Sequence, residues 1–197
     1  MGKQIHLEKI EELFEKSPVL DFKSIEKIVG KSKRGSYAKL LIHNLIKKGK
    51  IKKIGKGFYT QHDELSLAVF SFKPAYLGLQ SALSYHGVWE QETIPVVITL
   101  KKARRGLRSL MGGNVLIKNI DKKYFFGFDY VKEGSFYLPY SDLEKTFIDM
   151  VMFNQNINKE VLKNIKKRIN NRKLFDYLKK YPVKVKKRVK AYFPLKN

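Results

Sequence analysis

Ser36-Tyr37-Ala38-Lys39-Leu40-Leu41-Ile42-His43-Asn44-Leu45-Ile46-Lys47-Lys48-Gly49, followed at once by Lys50-Ile51-Lys52-Lys53-Ile54-Gly55-Lys56-Gly57-Phe58-Tyr59-Thr60, is the stretch that decides the architecture. Its first part predicts a helix over 33–48 that stops at Gly49. Ala38, Leu41, Ile42 and Leu45 recur at helical spacing and fall within one narrow arc, which must face a small core. The opposite arc carries Ser36, Leu40, His43 and Lys47, flanked by Tyr37, Lys39 and Asn44. The second part reads as strand, tight glycine turn and strand, a β-hairpin. Between Lys31 and Lys56 ten residues are Lys or Arg and none is acidic. A helix built only for stability normally carries glutamates four residues from its lysines. This one has none.

Working back from that stretch, Leu7, Ile10, Leu13 and Phe14 form one helical stripe, and Ser17-Pro18 ends it. Val19-Leu20-Asp21-Phe22 is a short extended piece. Ile25, Ile28 and Val29 mark a second helix, with Gly30 as its stop. Lys31-Ser32-Lys33-Arg34-Gly35-Ser36 is a basic turn. Helix, short strand, helix, turn, helix, hairpin is the order of a winged helix-turn-helix, and residues 1–62 are expected to form that module.

The exposed arc of the third helix is then the surface expected to enter a major groove, which is wide enough to admit a helix. Leu40 suits a thymine methyl, and His43 and Asn44 are placed to reach base edges. Lys47 and Lys48 at the helix end, with Lys52, Lys53 and Lys56 on the hairpin, are candidates to grip phosphates, and Lys33, Arg34, Ser36, Tyr37 and Lys39 complete the expected DNA-binding surface. Arg104, Arg105 and Arg108 are candidates for additional phosphate contacts.

Working forward, residues 63–197 are expected to form a mixed α/β domain that ends in a basic helical region. A short helix is predicted at 64–70 and a longer one at 74–87, with Pro74 in its first turn and Gly87 past its end. Pro95-Val96-Val97-Ile98-Thr99-Leu100 has the pattern of a buried strand, and the basic run 101–112 reads as a loop. Further strands are predicted at 115–119, 125–131 and 136–138. Ser141-Asp142-Leu143-Glu144 has the pattern of a capping box opening a helix to Phe153. The remainder is predicted helical, with basic residues crowding around Val161, Leu162, Ile165, Ile169, Leu174, Phe175 and Leu178.

Charge supports a polyanionic partner. The net charge is +23 over 197 residues. Residues 1–62 hold 15 basic against 6 acidic side chains, 63–153 are nearly balanced, and 154–197 hold 15 against 2. Each phosphate neutralised releases counterions, so such a surface binds nucleic acid in a salt-dependent way. With no cysteine, disulfides, thiolate zinc sites and cysteine nucleophiles are excluded. No apolar run approaches the ~20 residues that cross a bilayer, and the first residues are charged where a signal peptide would be apolar. The expectation is a cytoplasmic protein without membrane contact.

The order of several short motifs resembles a known family. Gly55-Lys56-Gly57-Phe58-Tyr59 is followed by Pro74-Ala75-Tyr76-Leu77, Ser81-Ala82-Leu83 and His86-Gly87. Val97-Ile98-Thr99 comes next, then Asp142-Leu143-Glu144-Lys145-Thr146 with Asp149. This succession, over roughly residues 5–153, resembles the AbiEi family of antitoxins and transcriptional regulators from type IV toxin–antitoxin (abortive infection) systems. The resemblance implies an autorepressor that binds inverted repeats in double-stranded operator DNA. It also implies a second domain that counteracts a nucleotidyltransferase-type toxin.

Two other classes compete. A metal-dependent nuclease would use Asp142, Glu144 and Lys145, with Asp149 and Asp129 nearby, since phosphodiester cleavage needs carboxylates converging on a metal ion. Against it, Ser141 and Glu144 are expected to cap a helix and Asp142 suits its dipole. An RNA-associated basic protein would rest on the tail, but no aromatic platform for bases is evident. The four histidines, His6, His43, His62 and His86, show no zinc-ligand spacing, and His86 is expected to cap or pack its helix end. Gly35-Ser36 lacks the Asp-x-Asp that nucleotidyl transfer needs. The expectation is therefore a regulator with no catalytic residues, no metal site and no cofactor.

Overall fold

The computed structural model describes residues 2–30 and 36–193. The chain is an α+β protein that divides into two compact units, residues 1–71 with 108–115, and residues 72–107 with 116–197.

The first unit opens with α1 (Gly2–Lys16), β1 (Leu20–Asp21), α2 (Phe22–Val29) and α3 (Ser36–Lys47). β2 (Lys52–Gly55) and β3 (Phe58–Thr60) form the hairpin. β3 pairs with both β1 and β2, giving a three-stranded sheet in the order β1-β3-β2. Ile10, Phe14, Leu20, Ile25, Val29, Ala38, Leu41, Ile42, Leu45, Ile51 and Tyr59 make one buried cluster, with Leu7, Leu13 and Ile28 packed at its edge. The helical stripes read from spacing are thus the core. Asp21, the last residue of β1, caps α2 by accepting a hydrogen bond from the Ser24 amide at 2.7 Å. That bond satisfies one of the free N–H groups at the helix start. The 64–70 helix is a 3-10 segment, Leu65–Phe72, largely buried.

The second unit is built on a six-stranded mixed sheet, order β6-β7-β5-β4-β9-β8, of which residues 108–115, in β6 and β7, group with the first unit. Its strands are β4 (Ala75–Leu77), β5 (Val96–Thr99), β6 (Gly106–Leu110), β7 (Gly113–Asn119), β8 (Phe128–Glu133) and β9 (Phe136–Ser141). Helices α4 (Gln80–Tyr85), α5 (Leu143–Met152), α6 (Lys159–Arg168), α7 (Asn171–Leu178) and α8 (Val183–Tyr192) complete it. β5 runs parallel to β7 and antiparallel to β4, and β4 runs parallel to β9. The core joins the sheet to α5 and the three tail helices through Leu79, Leu83, Ile98, Phe147, Ile148, Ile165, Leu174, Leu178 and Val189.

Four expectations need correction. Residues 74–87 are not one helix: Ala75–Leu77 is a strand with every residue buried, and α4 starts only at Gln80. Pairing on both sides, with β5 and β9, outweighs the helical spacing of the side chains. The basic loop at 101–112 contains an edge strand, β6, whose residues alternate between half-buried and exposed. The 125–131 strand lies later, at 128–133, because Lys122–Tyr124 forms a 3-10 turn with Phe125 at its end. The cap of α5 is Asp142 rather than Ser141. Asp142 accepts from the Lys145 amide at 2.7 Å, while the Ser141 hydroxyl pairs with the Thr146 hydroxyl at 2.7 Å.

His86 ends α4, and its Nε2 lies 2.8 Å from the Ser141 carbonyl oxygen. No helix among the described residues is long and apolar enough to cross a membrane.

Candidate nucleic-acid interface

α3 divides cleanly along its length. Ala38, Leu41, Ile42 and Leu45 are buried, while Lys39, Leu40, His43, Asn44 and Lys47 are exposed. Leu40 leaves 53% of its surface in solvent and Ile46 39%. A large aliphatic side chain this open gains little from burial, and singly it needs no explanation. Here it stands among His43, Asn44 and Lys47, so one face offers methyl groups, amide and imidazole donors and an ammonium together.

Tyr37 differs from its neighbours. It is half-buried against the core of the first unit, and its ring meets that of His6 edge-on at 6.0 Å between centroids. Part of its surface is therefore committed to holding α3 against α1. Lys33 and Arg34 lie outside the described residues, as does the Ser36 side chain.

The hairpin presents its lysines outward. Gly55 pairs with Phe58, so Lys56-Gly57 alone makes the turn, and Gly57 adopts φ +75°, the left-handed region that suits glycine. The register shifts between Lys53 and Gly55, as a bulge requires. Ile54 points into the core while Lys53 and Lys56 are exposed. Lys52 is instead paired with Asp63, and Lys50 with Glu11 at 2.9 Å. The first unit thus separates its cations. Those at 50 and 52 are tied to carboxylates, while Lys53 on β2 and Lys56 on the turn are exposed.

The three arginines do not form one group. Arg104 and Arg105 are exposed just before β6, and Arg105 lines a cleft in the second unit. Arg108 is half-buried on β6 and belongs to the first unit.

The carboxylates of the nuclease alternative are engaged elsewhere. Lys145 and Asp149 are paired with neither side chain exposed, and the Tyr76 hydroxyl donates to Asp149 at 2.6 Å. Lys145 also reaches the Tyr76 oxygen at 2.9 Å. Burial pushes the Lys145 ammonium down and the Asp149 carboxyl up, each opposed by the other's charge. Glu144 accepts from the Asn170 amide at 2.7 Å, joining the first turn of α5 to the start of α7. Asp142, besides capping α5, accepts from the Tyr177 hydroxyl at 2.8 Å and faces Lys173 at 3.1 Å. Desolvation pulls Lys173 down, but the carboxylate of Asp142 outweighs it and holds the ammonium above its ordinary range. Asp129 is exposed on β8. Among the described residues no three His, Asp or Glu side chains converge in a way that could hold a metal ion.

The chain is similar in fold to the RV2827C protein from Mycobacterium tuberculosis, with a TM-score of 0.62 and 12% sequence identity over 93% of this chain and 74% of that one. At that identity the likeness is one of fold alone. No family model and no curated protein matches the sequence.

Proposed function

We propose that the protein is a sequence-specific DNA-binding transcriptional regulator whose first unit is a winged helix-turn-helix. α3 is the recognition helix and the β2–β3 hairpin the wing. The observation that carries this reading is the division of α3. Its apolar arc is spent on the core, while Leu40, His43, Asn44 and Lys47 are held outward with no acidic residue nearby in sequence. Lys53 and Lys56 supply phosphate contacts from the hairpin, and Lys39 and Lys47 do so along the helix. In keeping with the resemblance to AbiEi antitoxins, the operator is an inverted repeat in the protein's own promoter. The second unit then meets a nucleotidyltransferase-type toxin.

Selection from a pool of randomised duplexes tests the reading. The full chain enriches a defined sequence that it binds roughly 10³-fold or more tightly than random DNA. His43→Ala and Asn44→Ala flatten the enriched sequence while leaving affinity for random DNA nearly unchanged. Enrichment of the same sequence by both variants would remove α3 as the reading element. Failure to enrich any sequence would remove the regulator.

A further inference from the structure

We propose that a cleft in the second unit is a binding site for a mononucleotide. The cleft has a volume of about 640 Å³, within the range that small-molecule sites occupy. Three separate stretches close around it: 100–105 after β5, 119–124 after β7, and Met152-Phe153 at the end of α5. All three belong to the same unit.

The lining has two halves of different chemistry. Lys101, Lys102, Arg105 and Lys122 bring four cations to the rim, against the single carboxylate of Asp121. All five are exposed. Leu100, Ile120, Tyr124, Met152 and Phe153 make the apolar wall. A free phosphate needs only the cations. A ligand carrying a phosphate at one end and a flat, weakly polar ring at the other uses both halves. Asp121, an acceptor in the same lining, fits a sugar hydroxyl. A nucleic-acid backbone is the poorer match, because it is held by cations along an open surface and has no use for an aromatic wall in a concavity.

The cleft is also built before any ligand arrives. Asn119 donates its amide to the Ala103 carbonyl at 2.9 Å, and the Lys101 amide donates to the Thr99 hydroxyl at 3.0 Å. Those bonds fix the loop that carries three of the four cations. On the other side the Tyr124 ring is stacked on Tyr181, with centroids 4.6 Å apart and planes within 8°. Fixed walls reduce the ordering cost of binding.

The site does not rest on the DNA reading, and its test contains no DNA. The full chain is titrated calorimetrically with AMP, adenosine, ribose 5-phosphate and inorganic phosphate at moderate salt. AMP binds saturably, and each of the three fragments binds at least about tenfold more weakly, since each lacks one half of the match. Lys102→Glu/Lys122→Glu weakens AMP by at least about tenfold, with Arg105→Ala as an independent second variant. Lys163→Glu/Lys167→Glu changes the total charge equally on α6 and leaves AMP affinity within about twofold. Absence of AMP binding at millimolar concentration would overturn the proposal. Equal affinity for AMP and inorganic phosphate, or equal loss in the α6 control, would do so as well.

Discussion

Lys145 and Asp149, one helical turn apart on α5, pair with each other at a point where neither side chain is exposed, and Tyr76 on β4 bonds to both. The three groups come from β4, one of the two central strands of the sheet, and from α5. Lys145 also lies 5.3, 5.7 and 6.0 Å from the ring centres of Tyr76, Phe126 and Tyr181. The charge is therefore neutralised on one side and surrounded by aromatic faces on the others. Nothing in this arrangement is open to a substrate. Its role is to fix how α5 sits on β4.

Breaking the pair from one side should be costly. Lys145→Met leaves the Asp149 carboxylate buried without its counter-charge, and a loss of about 3–5 kcal/mol is expected. Tyr76→Phe/Lys145→Met/Asp149→Leu removes all three polar groups together and should recover most of that loss. Denaturant titration followed by far-ultraviolet circular dichroism measures both. A triple variant no more stable than the single one would mean that the network contributes specific geometry beyond charge compensation.

Stability should fall steeply between pH 10 and 12. Burial raises the hydroxyls of Tyr76, Tyr140 and Tyr181, with added help from Asp149, Glu133 and Asp149 respectively. Burial also pushes Tyr177 up to about 12, reinforced by its hydrogen bond to Asp142. Unfolded tyrosines lose their protons near 10.0, so above that pH these four hydroxyls keep protons in the folded chain that they lose in the unfolded one. Their contribution is complete below pH 10 and is lost as pH rises through the folded values. Tyr177→Phe should make the decline between pH 10 and 12 shallower. A variant that keeps the parent's slope in that window would show that Tyr177 does not titrate as this bonding requires.

The hairpin has little room beside its turn. A Cβ on Gly55 would lie 2.5 Å from the Ser71 Cβ and 2.6 Å from its Oγ. Gly55→Ala therefore forces the 3-10 segment away from β2, at a cost of about 1–3 kcal/mol. Thermal melting and hydrogen exchange of the 52–60 amides read the change. Gly55→Ala/Ser71→Gly should restore part of it, although it gives up the Ser71 bond to the Ala68 carbonyl at 2.8 Å.

The first unit was legible in the sequence because a core of this size needs every apolar stripe it has. Ala38, Leu41, Ile42 and Leu45 could face only one way, and the exposed arc of α3 followed by subtraction. The second unit hid more. β4 is three buried residues long and lies within a stretch whose small and apolar side chains also recur at helical spacing, so only its neighbours β5 and β9 identify it. Lys145 and Asp149 read as candidates for chemistry because their spacing is visible, whereas Tyr76, 69 residues before Lys145, is not. The cleft was invisible for the same reason. Its basic run at 101–105 stands out, but the wall comes from residues 119–124 and 152–153, and only the parallel pairing of β5 with β7 brings the first two stretches together.

Salt dependence separates phosphate contacts from base reading. Lys53 and Lys56 are exposed on the hairpin, whereas Lys50 and Lys52 face Glu11 and Asp63. If the first two each neutralise one phosphate, Lys53→Ala/Lys56→Ala lowers the slope of log affinity against log salt by about 2, at roughly 0.9 per contact. The loss should be alike for the selected sequence and for random DNA, because phosphates carry no sequence information. Lys50→Ala should change the slope far less, its ammonium being already paired. Fluorescence anisotropy of a labelled duplex between low and moderate salt measures all three slopes. A slope unchanged by Lys53→Ala/Lys56→Ala would take the hairpin off the DNA and leave α3 as the sole contact of the first unit.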